Sequence, residues 1–327
     1  MVMRGVAIVG IMLHNWLHLC YFATENEFSF SIENSKYMWN HLHGYSVIHT
    51  IEDMISFIGW VGVGVFVFLS GYGLEKKYCS REVKPLEFLF KQWKKLFALM
   101  IVGVTFFVFW FWDSDSLRYL LTLTMFANLV GDTFLRIGVY WYFGLAFELY
   151  ILWLLIRKMN VKGLAVVGVV LLAMKGCFMC TKWGIYLNHN IVGWGFLLVA
   201  GMIMARKMPR AEVKTWALVA TTVVGTIGMF ACNHNRMCWL LILPFLSVAV
   251  IWSVSKLMVK SAHFKQIGLW LGALSPFLFA CHPIARALLL HPLCDFIYWP
   301  IRCLLFVATA MLMSMVYRWV YGKVMRK

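Results

Sequence analysis

Long apolar stretches separated by short charged clusters run through this chain, and that pattern excludes most folds before any motif is read. About ten stretches, near residues 2–22, 51–74, 96–112, 137–156, 163–180, 191–205, 214–231, 239–258, 267–288 and 297–319, approach the roughly 20 residues a helix needs to cross a bilayer. In hydrocarbon every backbone amide must find its partner within the protein, so such spans are helical. Hydrophobic residues make up 62% of the chain and charged ones 13%, with a mean hydropathy of +0.77, against about 45–50% apolar in soluble domains. The expected fold is all-α, a polytopic membrane helix bundle of about ten transmembrane helices. No Ser-, Pro- or Gly-rich linker divides residues 1–327, so a single membrane domain is expected, without internal repeats.

A net charge of +16 has the size of a nucleic-acid footprint, but its placement argues otherwise. Basic residues cluster after every second apolar stretch: Lys76 to Lys95, Arg157 to Lys162, Arg206 to Lys214, Lys256 to Lys265 and Lys323 to Lys327. The alternate loops carry Glu25, Glu27, Glu33, Asp113, Asp115, Asp132 and Asp295. This is positive-inside patterning; with an even number of spans it puts both termini in the cytoplasm. The partner it implies is the lipid bilayer, not nucleic acid. Residues 23–50 read as a polar external loop, and 113–136, with the patch LRYLLTLTMF, as an interfacial or re-entrant segment.

Metal and redox chemistry find little support. The nine cysteines form no framework; Cys177 and Cys180 make one CxxC without a second pair. His41, His43 and His49 lie in the first external loop as a weak metal signal, and no metal is expected. The opening segment does not read as a cleaved leader, because His14, Asn15 and His18 interrupt it.

His14 is the residue that most needs explaining. It follows Arg4 by ten residues, about 15 Å along a helix, which sets it near the bilayer midplane. An ionisable group at that depth faces a cavity or a partner, so His14 is either functional or hydrogen-bonded within the bundle. Glu148 falls at comparable depth in the fourth span, and His282 towards the external end of the ninth.

Four patterns stand in order along the chain: Arg4-Gly5-Val6-Ala7 leading to His14; FVFLSGYGL from Phe66 to Leu74; WYFGLAFELYILWLL from Trp141 to Leu155, containing Glu148; and LGALSPFLFACHPI from Leu271 to Ile284, containing Ser275 and His282. Together they resemble the acyltransferase family 3 membrane proteins, over nearly the whole chain. Three features depart from that family's pattern. The Arg4–His14 interval is one residue short, which turns the histidine about 100° around its helix. The basic Arg-x-x-Arg after the second span is replaced by Lys91-Gln92-Trp93-Lys94-Lys95. Only three residues precede Arg4.

The resemblance implies an O-acyltransferase, in the main an O-acetyltransferase, of a bacterial inner membrane. It would move an acyl group from cytoplasmic acetyl-coenzyme A to a hydroxyl of a cell-surface glycan or lipid-linked saccharide. Such a transfer needs a base for the hydroxyl proton and a stabiliser for the oxyanion. His14 is expected as base or transient acyl carrier, with Glu148 orienting or charge-balancing it. Arg4, Lys91, Lys94 and Lys95 are expected to bind the donor, although positive-inside patterning accounts for most lysines. Asn15, Ser275 and His282 are expected on the acceptor side; Ser275 also fits a helix kink, and His282 a structural hydrogen bond. Ser70 beside Gly71 fits a close helix approach better than a nucleophile. With no hydrolase-like domain after the last span, transfer is expected within the membrane domain. The competing class is a polytopic transporter or exporter of a glycan or small anionic solute.

Overall fold

The computed structural model describes the chain apart from residues 22–25, 28, 43–46, 112–115, 131–134, 180, 182, 208–212 and 325–327. The described residues form helices joined by turns and irregular segments, with no strand. The long helices and their short companions are, in order, α1 (Val2–Tyr21), α2 (Ile32–Leu42), α3 (Val47–Ile58), α4 (Gly62–Tyr78), α5 (Pro85–Phe111), α6 (Ser116–Leu123), α7 (Trp141–Ile156) and α8 (Val161–Phe178). They continue as α9 (Gly184–Leu187), α10 (Ile191–Lys207), α11 (Thr215–Cys232), α12 (Arg236–Leu241), α13 (Leu243–Lys260), α14 (Ala262–Leu289) and α15 (Trp299–Val324). Among the described residues, eight helical spans are long and apolar enough to cross a membrane. The two further spans expected from sequence are also helices: α1, interrupted by Arg4, His14, Asn15 and His18, and α10, whose 17 residues reach about 26 Å.

Local chemistry sets several boundaries. Pro85 starts α5, where a missing amide hydrogen costs no helical bond. Asn160 caps α8 by accepting from Gly163 N at 2.8 Å, and Asn235 caps α12 by accepting from Met237 N and Cys238 N. The segment 23–50 differs from the expected loop, since it contains α2 and the start of α3. Residues 113–136 supply α6 and a 3-10 turn at Ala127–Leu129; Asp113, Asp115 and Asp132 lie outside the described residues. Also outside them are Cys180, His43 and the side chains of His41 and His49.

The helices form two compact units. The first comprises Met1–Pro85 and Glu148–Gly272, the second Leu86–Phe147 and Ala273–Lys327, with the divisions falling inside α7 and α14. In the first unit α10 packs between α4 and α8. A Cβ on Gly71 would stand 2.0 Å from Leu198 O, and one on Gly201 would stand 2.1 Å from Phe68 O. The two glycines thus let the α4 and α10 backbones touch, the small-residue solution of membrane helix packing. Ser70 Oγ donates within its own helix to Phe66 O at 2.8 Å. In the second unit Tyr140 OH donates to Ala280 O at 2.7 Å, and Asn128 Nδ2 to Trp141 O at 2.9 Å.

Candidate active site

The site in the first unit is built around His14, which α1 carries into the interior to 1% exposure. Ser56 O, near the end of α3, accepts from His14 Nδ1 at 2.6 Å. A carbonyl only accepts, so Nδ1 carries the proton and Nε2 is the titrating nitrogen. Gly59 makes the approach possible: a Cβ there would meet Gly10 O and His14 Cβ, each at 2.6 Å. One turn on, His18 donates from Nδ1 to His14 O at 2.8 Å, and the two rings stack at 4.7 Å between centroids.

Nε2 of His14 faces a carboxylate, that of Glu27, whose Oε2 lies 3.5 Å away. Glu27 comes from the segment after α1, and that segment is tied down through Asn26, which is 0% exposed. Asn26 Oδ1 accepts from Ser31 N and Asn34 Nδ2, each at 3.0 Å, and Asn26 Nδ2 donates to Asn233 Oδ1 at 3.3 Å. Its backbone carbonyl accepts from Trp239 Nε1 at 2.8 Å, and Glu27 O accepts from Asn188 Nδ2 at 3.0 Å. Buried amides and an indole thus hold an irregular segment in place, each bond worth about 0.5–1.5 kcal/mol net.

Burial opposes the charged form of Glu27. The side-chain contact with His14 and the charges of His14, His18 and His189 outweigh it and hold the carboxyl below its usual range. His189 is itself 0% exposed. Two residues later Ile191, the first residue of α10, donates its N–H to Glu148 Oε2 at 3.0 Å. A carboxylate at a helix N-terminus satisfies an otherwise orphaned amide and complements the helix dipole. Glu148 therefore has a definite structural duty at the segment that carries His189.

Arg4 lies in the first turn of α1, half-buried, with its charge acting on Tyr150, two residues beyond Glu148. Asn15 Nδ2 donates to Ile11 O at 2.9 Å. Lys91, Lys94 and Lys95 belong to α5 in the second unit; Lys91 and Lys94 are exposed, and all three lie on a helix rather than in the expected loop. Ser275 and His282 sit in the second-unit part of α14, both 0% exposed. His282 Nδ1 donates one turn back to Leu278 O at 2.9 Å, beside Pro283. Glu27, Ser56 and His189 were not among the expected site residues. Their one sequence signal is that His14 and His18, a turn apart on a membrane helix, require buried partners.

The first unit also holds two cavities. One, of 500 Å³, is walled by aliphatic side chains of α1, α3, α11 and α13 and reaches Gly10 and Gly59, the latter packed against His14. The other, of 880 Å³, lies at the basic end and includes Arg81, Lys84, Arg157, Lys158 and Arg206. Arg206 is already engaged there: Nε donates to the buried Glu75 Oε1 at 2.7 Å, and its terminal nitrogens donate to Met159 O and Arg157 O.

Residues 2–319 match the family model described as an acyltransferase domain, that of acyltransferase family 3. Comparison with curated proteins and with solved structures gives no match.

Proposed function

This chain belongs to acyltransferase family 3, and from that premise we propose that it is a membrane O-acyltransferase drawing on acetyl-coenzyme A. The acceptor is a hydroxyl of a glycan or lipid-linked saccharide, and the setting is a bacterial inner membrane. The observation that carries the reading is the pairing of the buried His14 Nε2 with Glu27 Oε2, 3.5 Å apart. His14 Nε2 takes the acceptor hydroxyl's proton as the oxygen attacks the thioester carbonyl. Glu27 stabilises the imidazolium so formed, and Ser56 O fixes the ring. Collapse of the tetrahedral intermediate breaks the C–S bond, and the proton leaves on the coenzyme A thiol. His14 as transient acyl carrier uses the same nitrogen and the same partners.

Glu148 serves from one remove, by holding the start of α10 and with it His189. In the first unit Arg4 and the cationic cavity at the basic end suit a donor bearing several phosphates; in the second, Lys91, Lys94 and Lys95 offer the same chemistry on their own. The aliphatic cavity against Gly10 and Gly59 suits an acceptor with a lipid tail. Acceptor recognition is assigned by the resemblance to Asn15 within the first unit and, separately, to Ser275 and His282 within the second.

Radiolabelled acetyl-coenzyme A incubated with purified protein tests this reading against a transporter. Saturable binding with slow hydrolysis, and hydrolysis lost in His14→Ala, is the expected result. Absence of binding at millimolar donor, in folded protein, would overturn it in favour of an exporter.

A further inference from the structure

A third cavity of the first unit, of 800 Å³, opens among the basic-end termini of α4, α10, α11 and α13. Its floor is apolar, with Phe68, Leu69 and Leu218 in the lining, and its rim carries Trp252, Lys256 and Lys260 of α13. These three residues stand at successive i, i+4 positions, so they share one helix face a turn apart. Lys256 Nζ lies 5.8 Å from the centre of the Trp252 ring, and Lys260 Nζ reaches Thr215 Oγ1 on the facing α11. Among the described lining residues none is acidic. Positive-inside patterning accounts for lysines at this end of the protein. It does not account for two of them converging on one aromatic-edged cavity with an apolar floor.

We propose that this cavity binds a phosphate-bearing amphiphile, its phosphate held between Lys256 and Lys260 and its apolar body laid on Phe68, Leu69 and Leu218. Two ammonium groups one turn apart can share one phosphate as point charges without requiring the planar fork of arginine. Burying the apolar floor favours a ligand with hydrocarbon or a ring over inorganic phosphate. Two sources carry this chemistry. One is an acidic phospholipid of the bilayer, as basic pockets between membrane helices take; the other is a coenzyme A thioester. The proposal does not depend on the acyl-transfer reading, because its test is binding and not turnover.

The test is native mass spectrometry of delipidated protein offered phosphatidylglycerol against phosphatidylcholine in one arm and palmitoyl-coenzyme A in the other. Three variants accompany wild type: the double variant Lys256→Gln/Lys260→Gln, Val259→Trp to occupy the cavity without changing charge, and Lys323→Gln. Lys323 rests on the Trp319 ring at 3.8 Å and lines none of the cavities described, so it reports generic lysine charge. The expected result is retention of one ligand, weakened about ten-fold or more in the double variant and in Val259→Trp, and unchanged in Lys323→Gln. Retention of phosphatidylglycerol alone identifies the source as bilayer lipid; retention of palmitoyl-coenzyme A identifies it as the thioester. The proposal is overturned if neither ligand outlasts phosphatidylcholine, or if Lys323→Gln weakens retention as much as the double variant.

Discussion

His14 and Glu27, thirteen positions apart in sequence, meet with Nε2 and Oε2 at 3.5 Å, Glu27 being held there next to the anchored Asn26. The acid beside the candidate base thus comes from the connection between helices. At that separation the carboxylate offsets the positive charge that forms on the ring as Nε2 takes a proton.

Asn26 should matter to turnover more than to donor affinity. Asn26→Ala removes the partner of Ser31 N, Asn34 Nδ2 and Asn233. Its loss should lower kcat by about ten-fold or more while leaving the KM for donor nearly constant, since a carboxylate misplaced by an ångström loses its effect. Steady-state kinetics over a donor series check this; a KM-only change would remove Asn26 from the positioning role.

The α4–α10 contact gives a stability prediction with an internal control. Gly71→Ala puts a methyl group 2.0 Å from Leu198 O, whereas Gly73→Ala, two residues on, meets nothing within 4 Å. The first should cost about 1–3 kcal/mol, or more if the helices cannot part, and the second should be near neutral. Thermal unfolding of the two variants in the same detergent decides the point.

Arg206 should be a structural residue although it lines a cationic cavity. Its guanidinium bridges Glu75, Met159 O and Arg157 O. Arg206→Ala would leave the 2%-exposed Glu75 without its ion-pair partner, a change of about 3–5 kcal/mol for a buried pair. Arg206→Lys keeps the charge but cannot span three acceptors, and should recover only part of the thermal stability.

Acid sensitivity follows from Glu27. Its carboxyl titrates lower in the folded protein than in the unfolded chain. The stability it contributes is therefore complete above the unfolded value, about 4.3, and is lost as pH falls through the folded value. The unfolding midpoint of wild type should hold from neutral pH to about 5 and then decline more steeply than that of Glu27→Gln. Parallel profiles would show that Glu27 does not contribute.

Much of the architecture could be read from the apolar stretches, because a bilayer permits only helices of a certain length. Gly71 was also legible as a close helix approach, and it meets α10; the close packing of Gly5, where a Cβ would stand 2.6 Å from Gly268 O, was not read from the sequence. His14 stood out because a mid-helix imidazole demands a partner. The partner itself did not. Glu27 counted only as a loop acid, since nothing in the spacing of an irregular segment says that Asn188, Asn233 and Trp239, some 160 to 210 residues away, will draw it inward. Glu148 had the right depth, yet its observed bond is to Ile191 N, a capping duty that depends on where α10 begins.

The most direct test compares release of coenzyme A from radiolabelled acetyl-coenzyme A by wild type, His14→Ala, Glu27→Gln and Glu148→Gln, each shown to be folded. If His14 and Glu27 act as a pair, His14→Ala falls to background and Glu27→Gln slows by about 100-fold or more. Glu148→Gln, whose amide oxygen can still accept from Ile191 N, keeps most of its rate. Wild-type turnover in Glu27→Gln, or in His14→Ala, would contradict the account.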